Sequence, residues 1–409
     1  MSDSSSSSRL ELIKFKLRAL LDITKGINAN LSQEDLLYSY ENLLRKELNI
    51  GKVLIFKLTN QWECLLNSGF DPKADEMIDV ESDLLRHNDI SFVSSDKPEK
   101  LKQFDIIIPV IHNNRHIAFV LIGDIDEEST GVSPIIKHLH FIQTLSNIII
   151  VATENIRLNQ ESIRQAAIKR ELEVAAKLQS MLIPDSSKLP SNKTIRASAF
   201  YHPHFDVGGD YYDFIKLNNN EYGFCMADVS GKGISAAIIM SNFQANLRAL
   251  FTSAIKFTRL ITILNERINE TTKGERFITM FIAKYNLKTH ELTYINAGHN
   301  PPMLYDMVNK KLTYLNSNCV GIGMLDKIPF IKQETIKIRK KSKLLSYTDG
   351  LIEILDENKI EMGTEALEKF ILNKDPVEAN IEEMVKNYGI LEGNKSIFDD
   401  ISIMGFEFQ

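Results

Sequence analysis

Four short acidic corners, each beside an apolar segment, constrain this chain more than any other feature. They are residues 207–213 (VGGDYYD), 227–233 (ADVSGKG), 346–350 (SYTDG) and 398–401 (FDDI). Residues 222–227 (YGFCMA), between the first two corners, have the apolar character of a buried strand. The pattern predicts carboxylates at strand ends, as in a site that binds a hard cation through oxygen atoms.

The charge of these corners predicts their chemistry. A carboxylate with an ordinary pKa near about 4 is ionised at neutral pH, and grouped carboxylates repel one another unless cations lie among them. Few Lys or Arg residues adjoin the corners in sequence, and oxygen ligands without His or Cys favour Mg²⁺ or Mn²⁺ over Zn²⁺. Two such ions, about 3.5–4 Å apart, lower the pKa of a bridging water and clamp a phosphoryl group for in-line attack.

The glycines beside the carboxylates allow backbone conformations that other residues would not. Gly208 and Gly209 allow a sharp turn and a close approach of the backbone. Residues 230–233 (SGKG) predict a flexible corner that enters a helix, whose N-terminus favours anions, but they lack the glycine spacing of a Walker A loop. Two interpretations of Lys232 stay open, a substrate-binding residue that holds a phosphate and a solvated lysine.

Together with residues 297–302 (AGHNPP), the four corners in this order resemble the bacterial PP2C-type serine/threonine phosphatases of the SpoIIE/RsbU group. The resemblance runs from about residue 170 to the C-terminus. It implies an α-β-β-α sandwich, whereas the order of strands and helices alone predicts only the α+β class.

The same resemblance implies a set of site residues with two metal ions. Asp228, a catalytic residue, would bridge the ions. Asp210, the second catalytic residue, and the Val229 carbonyl would hold one ion. Asp349 and Asp399 would hold the other, and Asp400 replaces Asp399 if the register shifts by one residue.

Histidines and a further aspartate near the corners have structural interpretations. His299 is either a general acid or a residue that stabilises its turn, and we expect the second. Asp213 is expected to be structural, and His202 and His204 lack partners at metal-ligand spacing. Eukaryotic-type PP2C enzymes have a histidine after the bridging aspartate and an upstream phosphate-binding arginine. Both are absent here, as in the SpoIIE/RsbU group, so the proton donor and the phosphate ligand stay unassigned.

The N-terminal part predicts a separate sensor. Residues 1–8 are low-complexity and predicted to be disordered. Residues 9–151 predict helices, antiparallel strands and a further helix, an α+β unit that resembles a GAF domain. Signature residues of cyclic-nucleotide GAF domains are not found, and His112 and His116 are expected to flank a turn at the surface.

Residues 152–184 predict a helical linker. No Gly or Pro interrupts the segment before Pro184, and apolar residues recur at a spacing close to a heptad. We favour a coiled coil that joins a homodimer over a helix packed on its own domain. Residues 185–409 then form the PP2C-type phosphatase domain, and a signal at the sensor would reorient the linker helix to complete the metal site.

Composition narrows the class of protein. The chain has 409 residues, 44% hydrophobic and 25% charged, with a formal net charge of -6, which is typical of globular domains and predicts no nucleic-acid partner. Three cysteines without a CxxC pair favour a reducing compartment. Neither a signal peptide nor an apolar run long enough for a membrane span is found. We therefore expect a cytoplasmic protein without a membrane partner.

These observations predict a Mg²⁺- or Mn²⁺-dependent protein serine/threonine phosphatase that an N-terminal sensor regulates. The family resemblance implies a phosphorylated anti-sigma-factor antagonist as the substrate. Two alternatives stay open, a non-catalytic signalling scaffold with a degenerate phosphatase fold and a metal-dependent phosphohydrolase that acts on a small phosphoester.

Overall fold

The chain forms two compact units, Met1–Ala167 and Ile168–Gln409. The computed structural model describes residues 2–93, 98–112, 114–125, 138–338, 341–355, 359–392 and 396–409, without the side chains of residues 2–9, 99 and 125. Both units mix helices with antiparallel strands, so the mixed α/β composition predicted from the sequence is confirmed. Across the described residues, no helix combines the length and apolar composition that a membrane crossing requires.

The first unit is built on a five-stranded antiparallel sheet. Its strands lie in the order β2-β1-β5-β4-β3. The elements are α1 (Ser2–Asn28), α2 (Gln33–Asn42), β1 (Ile50–Leu58), β2 (Trp62–Ser68), α3 (Val80–Asp83), β3 (Ser91–Phe92), β4 (Ile106–His112), β5 (Arg115–Ile125) and α4 (Leu139–Ser180). Alternate residues of β1 face opposite sides, so that Val53 packs with α2 and α4 while Leu54 packs with Phe104.

Helix boundaries in this part agree only partly with the sequence predictions. The sequence predicts Ser32 as the N-cap of a helix from about Gln33, and Ser32 does cap α2, because its hydroxyl accepts a hydrogen bond from the Asp35 amide at 3.1 Å. Residues 2–8, predicted to be disordered, belong to α1, since no Gly or Pro ends the helix before Gly26. The linker helix is the C-terminal part of the 42-residue α4, which ends at Ser180. The predicted helix start near Ser133 lies outside the described residues.

The second unit contains two five-stranded antiparallel sheets. Their strand orders are β13-β10-β9-β8-β7 in the first sheet and β12-β11-β14-β15-β6 in the second sheet. The strands are β6 (Ile195–His202), β7 (Tyr211–Lys216), β8 (Glu221–Val229), β9 (Ile278–Asn286), β10 (Glu291–Ala297), β11 (Met303–Asp306), β12 (Lys311–Tyr314), β13 (Glu334–Lys337), β14 (Ser342–Tyr347) and β15 (Ile401–Phe408). The helices are α5 (Ile234–Leu250), α6 (Phe257–Thr272), α7 (Asp349–Ile352), α8 (Glu365–Ile371) and α9 (Val377–Asn387).

Aromatic side chains join the two sheets of this unit. The rings of Phe224 in β8 and Phe406 in β15 lie 4.2 Å apart between centroids, and those of Tyr285 and Phe408 lie 4.6 Å apart. Helices α5 and α6 contribute to the same buried core, whereas α8 and α9 pack with β11, β14 and β15 in a second cluster. The shared core therefore holds β8 and β15, and with them the acidic corners at their ends.

Candidate active site

A hairpin brings the first two acidic corners together. Strand β7 pairs with β8 in a register that places Tyr211 opposite Ala227. Asp210 and Asp228 are the next residues outward, so they leave the hairpin at the same end. The predicted corner, residues 207–213, includes the first three residues of β7, but these belong to an edge strand because β8 supplies their pairing partner.

The second sheet presents its carboxylates in the same way. Tyr347 in β14 lies opposite Ile403 in β15, so Asp349 and the Asp399–Asp400 pair adjoin the same end of these strands. Thr348 connects this end to the first sheet, since its hydroxyl donates a hydrogen bond to Asp210 Oδ2 at 2.7 Å. The same hydroxyl accepts one from the Ser402 amide at 2.9 Å. Sequence reasoning did not single out Thr348.

Electrostatic repulsion shows that the carboxylates of both sheets share one environment. Burial and, after it, the negative charges of Asp349 and Asp399 together raise the pKa of Asp228 to about 7. Burial and the charge of Asp228 raise the pKa of Asp210 well above its ordinary value. Four of the predicted site carboxylates are therefore electrostatically coupled.

Glu353, which sequence reasoning missed, joins this group. Partial burial raises its pKa, and the charges of Asp349 and Asp399 add to the effect. Glu353 follows α7, one helical turn after Asp349. Only the four-residue spacing from Asp349 in a helix would have indicated it.

The structure assigns different environments to the two adjacent aspartates. Asp400 is buried, and its carboxylate accepts hydrogen bonds from the backbone amides of His204 at 2.8 Å and Gly209 at 2.6 Å. The Asp399 side chain is 28% exposed and forms an ion pair with Lys232, with 2.8 Å between Nζ and Oδ2. Asp400 therefore anchors the loop that carries Asp210, while Asp399 faces the other carboxylates.

The loop before Asp210 is tightly held. A Cβ atom at Gly208 would lie 2.4 Å from both Asp400 Oδ2 and the Tyr201 hydroxyl, so only glycine fits. Gln179, near the C-terminal end of α4, both donates a hydrogen bond to the Gly208 backbone and accepts one from it. Its Nε2 donates to the Gly208 carbonyl at 2.6 Å, and its Oε1 accepts from the Gly208 amide at 3.1 Å. Residues 178–184 (LQSMLIP) resemble the segment that precedes the phosphatase core in the SpoIIE/RsbU group, but the sequence predicted no role for Gln179.

The Val229 carbonyl, predicted to bind a metal, lies beside the same loop. It is 2.9 Å from the position that a Cβ atom of Gly209 would take. Within the described ranges, however, no group of three or more His, Cys, Asp or Glu side chains is arranged to hold a metal ion as it stands. The carboxylates of Asp210, Asp399 and Asp400 are engaged with Thr348, Lys232 and backbone amides, and the predicted ligand set stays a prediction.

Asp213 has structural partners. It is fully buried, and Arg248 donates to it through Nε at 2.8 Å and Nη2 at 2.9 Å. The Tyr211 hydroxyl and the Phe214 amide also donate to its carboxylate. This arrangement uses the carboxylate inside the sheet and agrees with a structural interpretation.

His299 is also set in a structural turn. It is 4% exposed, its Nδ1 lies 2.9 Å from the Thr279 hydroxyl, and its amide donates to Asn296 Oδ1. Burial lowers the pKa of His299 to about 4, so the ring is neutral at neutral pH. A neutral ring with so low a pKa is a poor general acid, which favours the turn-stabilising interpretation.

The other histidines take ordinary structural positions. The His202 ring stacks on Phe200, and the His204 ring packs edge-on against Phe205. In the first unit His112 is exposed at the end of β4. His116 stacks on Phe119, and its Nε2 lies 3.1 Å from the His87 carbonyl.

We predict stability effects of different size for substitutions at the two adjacent aspartates. Asp400→Asn removes the anionic acceptor of two backbone amides and should lower the free energy of unfolding by about 1–3 kcal/mol. Asp399→Asn removes a partly exposed ion pair and should change it by less than about 1 kcal/mol. Calorimetry of the transition of the second unit checks this, and equal destabilisation by the two variants would contradict the assignment.

A second prediction concerns acid stability. The pKa of His299 is depressed in the fold, so between about pH 6.5 and 4 only the unfolded chain binds the proton. The free energy of unfolding should therefore decrease as the pH falls from about 6.5 to 4. His299 should account for up to about 3 kcal/mol of this decrease. His299→Gln should flatten the decline measured by urea unfolding of the second unit. The control is the exposed His140→Gln, and an unchanged slope in His299→Gln would refute the prediction.

The second unit is similar in sequence to known proteins. Residues 218–409 match the family model described as "Stage II sporulation protein E (SpoIIE)". The chain is 30% identical over 223 residues to phosphoserine phosphatase RsbU of Bacillus subtilis, covering 54% of this chain and 64% of that protein. It is 24% identical over 189 residues to phosphoserine phosphatase RsbP of the same organism, covering 45% of this chain and 46% of that protein. The chain thus spans less than two thirds of either relative.

A solved structure supports the fold. The SiaA-PP2C domain of Pseudomonas aeruginosa superimposes with a TM-score of 0.53 and 17% sequence identity, covering 60% of this chain and 99% of that domain. The C-terminal unit of the chain therefore has a PP2C-like fold, and residues 218–409 are similar to the SpoIIE family.

Proposed function

We propose that this protein is a Mg²⁺- or Mn²⁺-dependent protein serine/threonine phosphatase. The observation that carries the proposal is the convergence of carboxylates from the ends of two sheets, in which Asp349 and Asp399 raise the pKa of Asp228. Grouped carboxylates of this kind are compensated by a divalent cation. The SpoIIE-type match and the name phosphoserine phosphatase carried by RsbU and RsbP support the same activity.

The donor chemistry fits two hard cations. All the candidate ligands are oxygen atoms, with Asp228 between Asp210 and the Val229 carbonyl on one side and Asp349 and Asp399 on the other. When bound, such ions activate water and stabilise charge on the phosphoryl group. The chain's own contribution is orientation, because Thr348 holds the Asp210 carboxylate and Asp400 anchors the loop that carries it.

The proposed substrate is a phosphoserine or phosphothreonine on a signalling protein. An anti-sigma-factor antagonist is the partner that the family resemblance implies. We also infer an α-β-β-α sandwich, since the sheets share one core with α5 and α6 and the second sheet packs with α8 and α9. The GAF-like character of the first unit and a cytoplasmic location remain proposals of the same kind.

The first experiment measures phosphate release from a phosphoserine protein with and without Mn²⁺. We expect metal-dependent release, and a loss of about a hundredfold or more in Asp228→Asn, because that residue contributes the central carboxylate. Asp326→Asn, which removes an exposed aspartate of the same unit, is the matched control.

Other outcomes of this experiment would favour the rival functions. Absence of release under Mn²⁺ and Mg²⁺ would support a non-catalytic scaffold. Faster hydrolysis of a nucleotide than of the phosphoprotein would instead indicate a phosphohydrolase of small phosphoesters.

We further propose that α4 carries regulation from the N-terminal sensor to this site. The contact that supports it is the two-way hydrogen bond of Gln179 with Gly208, two residues before Asp210. A displacement of the end of α4 would shift the segment that positions Asp210. The helix also exposes apolar side chains, among them Leu158, Ile163, Val174 and Leu178. These support the proposed homodimer, which sedimentation equilibrium would test.

Gln179→Ala tests the regulatory contact in the full chain. Loss of its hydrogen bonds to Gly208 should weaken Mn²⁺-dependent turnover about tenfold, since hydrogen bonds of this kind contribute about 1 kcal/mol each. Circular dichroism should be unchanged. The control is Gln165→Ala, an exposed residue of the same helix, and identical kinetics of the two variants would argue against the proposal.

A further inference from the structure

Lys232 lies among the carboxylates of the site. Its ammonium group is 2.8 Å from Asp399 Oδ2 and donates a hydrogen bond to the Phe398 carbonyl at 2.5 Å. The negative charges of Glu353 and Asp349 act on the same ammonium group. Lys232 therefore supplies a positive charge to the half of the site formed by Asp349, Glu353 and Asp399.

The backbone that carries Lys232 is fixed by its two neighbouring glycines. Gly231 and Gly233 have φ values of +92° and +73°, in the left-handed region that favours glycine. A Cβ atom at Gly231 would lie 1.7 Å from Arg276 Nη1, and Arg276 donates to the Ser230 carbonyl at 3.1 Å. The backbone is therefore packed at Gly231, whereas a Cβ atom at Gly233 would meet no atom within 4 Å.

Both oxygens of Asp399 have partners within the protein. Oδ2 accepts from Lys232, and Oδ1 accepts from the Asp400 amide at 2.8 Å. A divalent cation that binds Asp399 needs one of these oxygens and also repels the ammonium group. The amide belongs to the backbone, whereas the lysine side chain is 45% exposed and has room to move.

We propose that Lys232 competes with the divalent cation for Asp399 and thereby sets the metal affinity of the Asp349–Asp399 half of the site. This inference rests on the proposed metal-dependent function. Cation entry displaces the ammonium group from Asp399. The displaced lysine remains beside the site, where it is able to bind a phosphate.

The experiment measures Mn²⁺ binding to the full chain by isothermal titration calorimetry and by electron paramagnetic resonance of free Mn²⁺. Lys232→Met should bind the weaker Mn²⁺ ion about tenfold more tightly than the wild type, a coupling typical of two linked sites. Lys216→Met, which removes an exposed lysine from the far end of β7, should bind as the wild type does. Adding Lys232→Met to Asp399→Asn should have no effect, because the contested carboxylate is gone.

A second readout is thermal. Without metal, Lys232→Met should melt at a lower temperature than the wild type, because the carboxylates lose their internal counter-charge. Mn²⁺ should then raise its melting temperature by more than it raises that of the wild type.

The outcomes separate this inference from the proposed function. Equal or weaker Mn²⁺ binding by Lys232→Met, with normal binding by the wild type, would overturn the competition and leave the phosphatase proposal intact. If neither protein bound Mn²⁺ while both were folded, the metal-dependent function would fail and the competition with it.

Discussion

Repulsion between buried carboxylates is the constraint on which the rest of the second unit depends. Asp210 is nearly inaccessible to solvent, and the charge of Asp228 acts on it directly. An isolated buried carboxylate would neutralise or move into solvent. Here the surrounding fold prevents movement, because Asp210 directly precedes the paired strand β7 and Asp228 is the next-to-last residue of β8. The paired strands of the sheets therefore hold the carboxylates close together in spite of their repulsion.

The protein offsets part of this repulsion with its own donors. Thr348 donates to Asp210, backbone amides donate to Asp400, and Lys232 neutralises Asp399. These three donors differ in how easily an external cation could replace them. Amides and a buried threonine are held by the fold, whereas a half-exposed lysine is able to leave. An external cation would therefore replace the ion pair between Lys232 and Asp399 more easily than the other two interactions.

Core packing decides how close the two pairs of corners come. The ring contact between Phe224 and Phe406 ties β8 to β15, and those strands carry Asp228 and follow Asp399. A close-packed core transmits small shifts, since its side chains have few alternative arrangements. The Gln179 contact adds a second connection, from α4 to the loop before Asp210. The site thus depends on both the sheet core and the end of one helix.

The sequence by itself determined the local features of this protein. Apolar periodicity identified most strands and helices. The hairpin of β7 and β8 follows from residues close together in the chain, although the first three residues of β7 were assigned to a corner. Only the tertiary structure separated Asp399 from Asp400, since the amides that hold Asp400 lie about 190 residues away. The same is true of Lys232 with Asp399 and of Gln179 with Gly208. Local patterns report which backbone a segment prefers, but the partner of a polar side chain depends on which distant segments the core brings together.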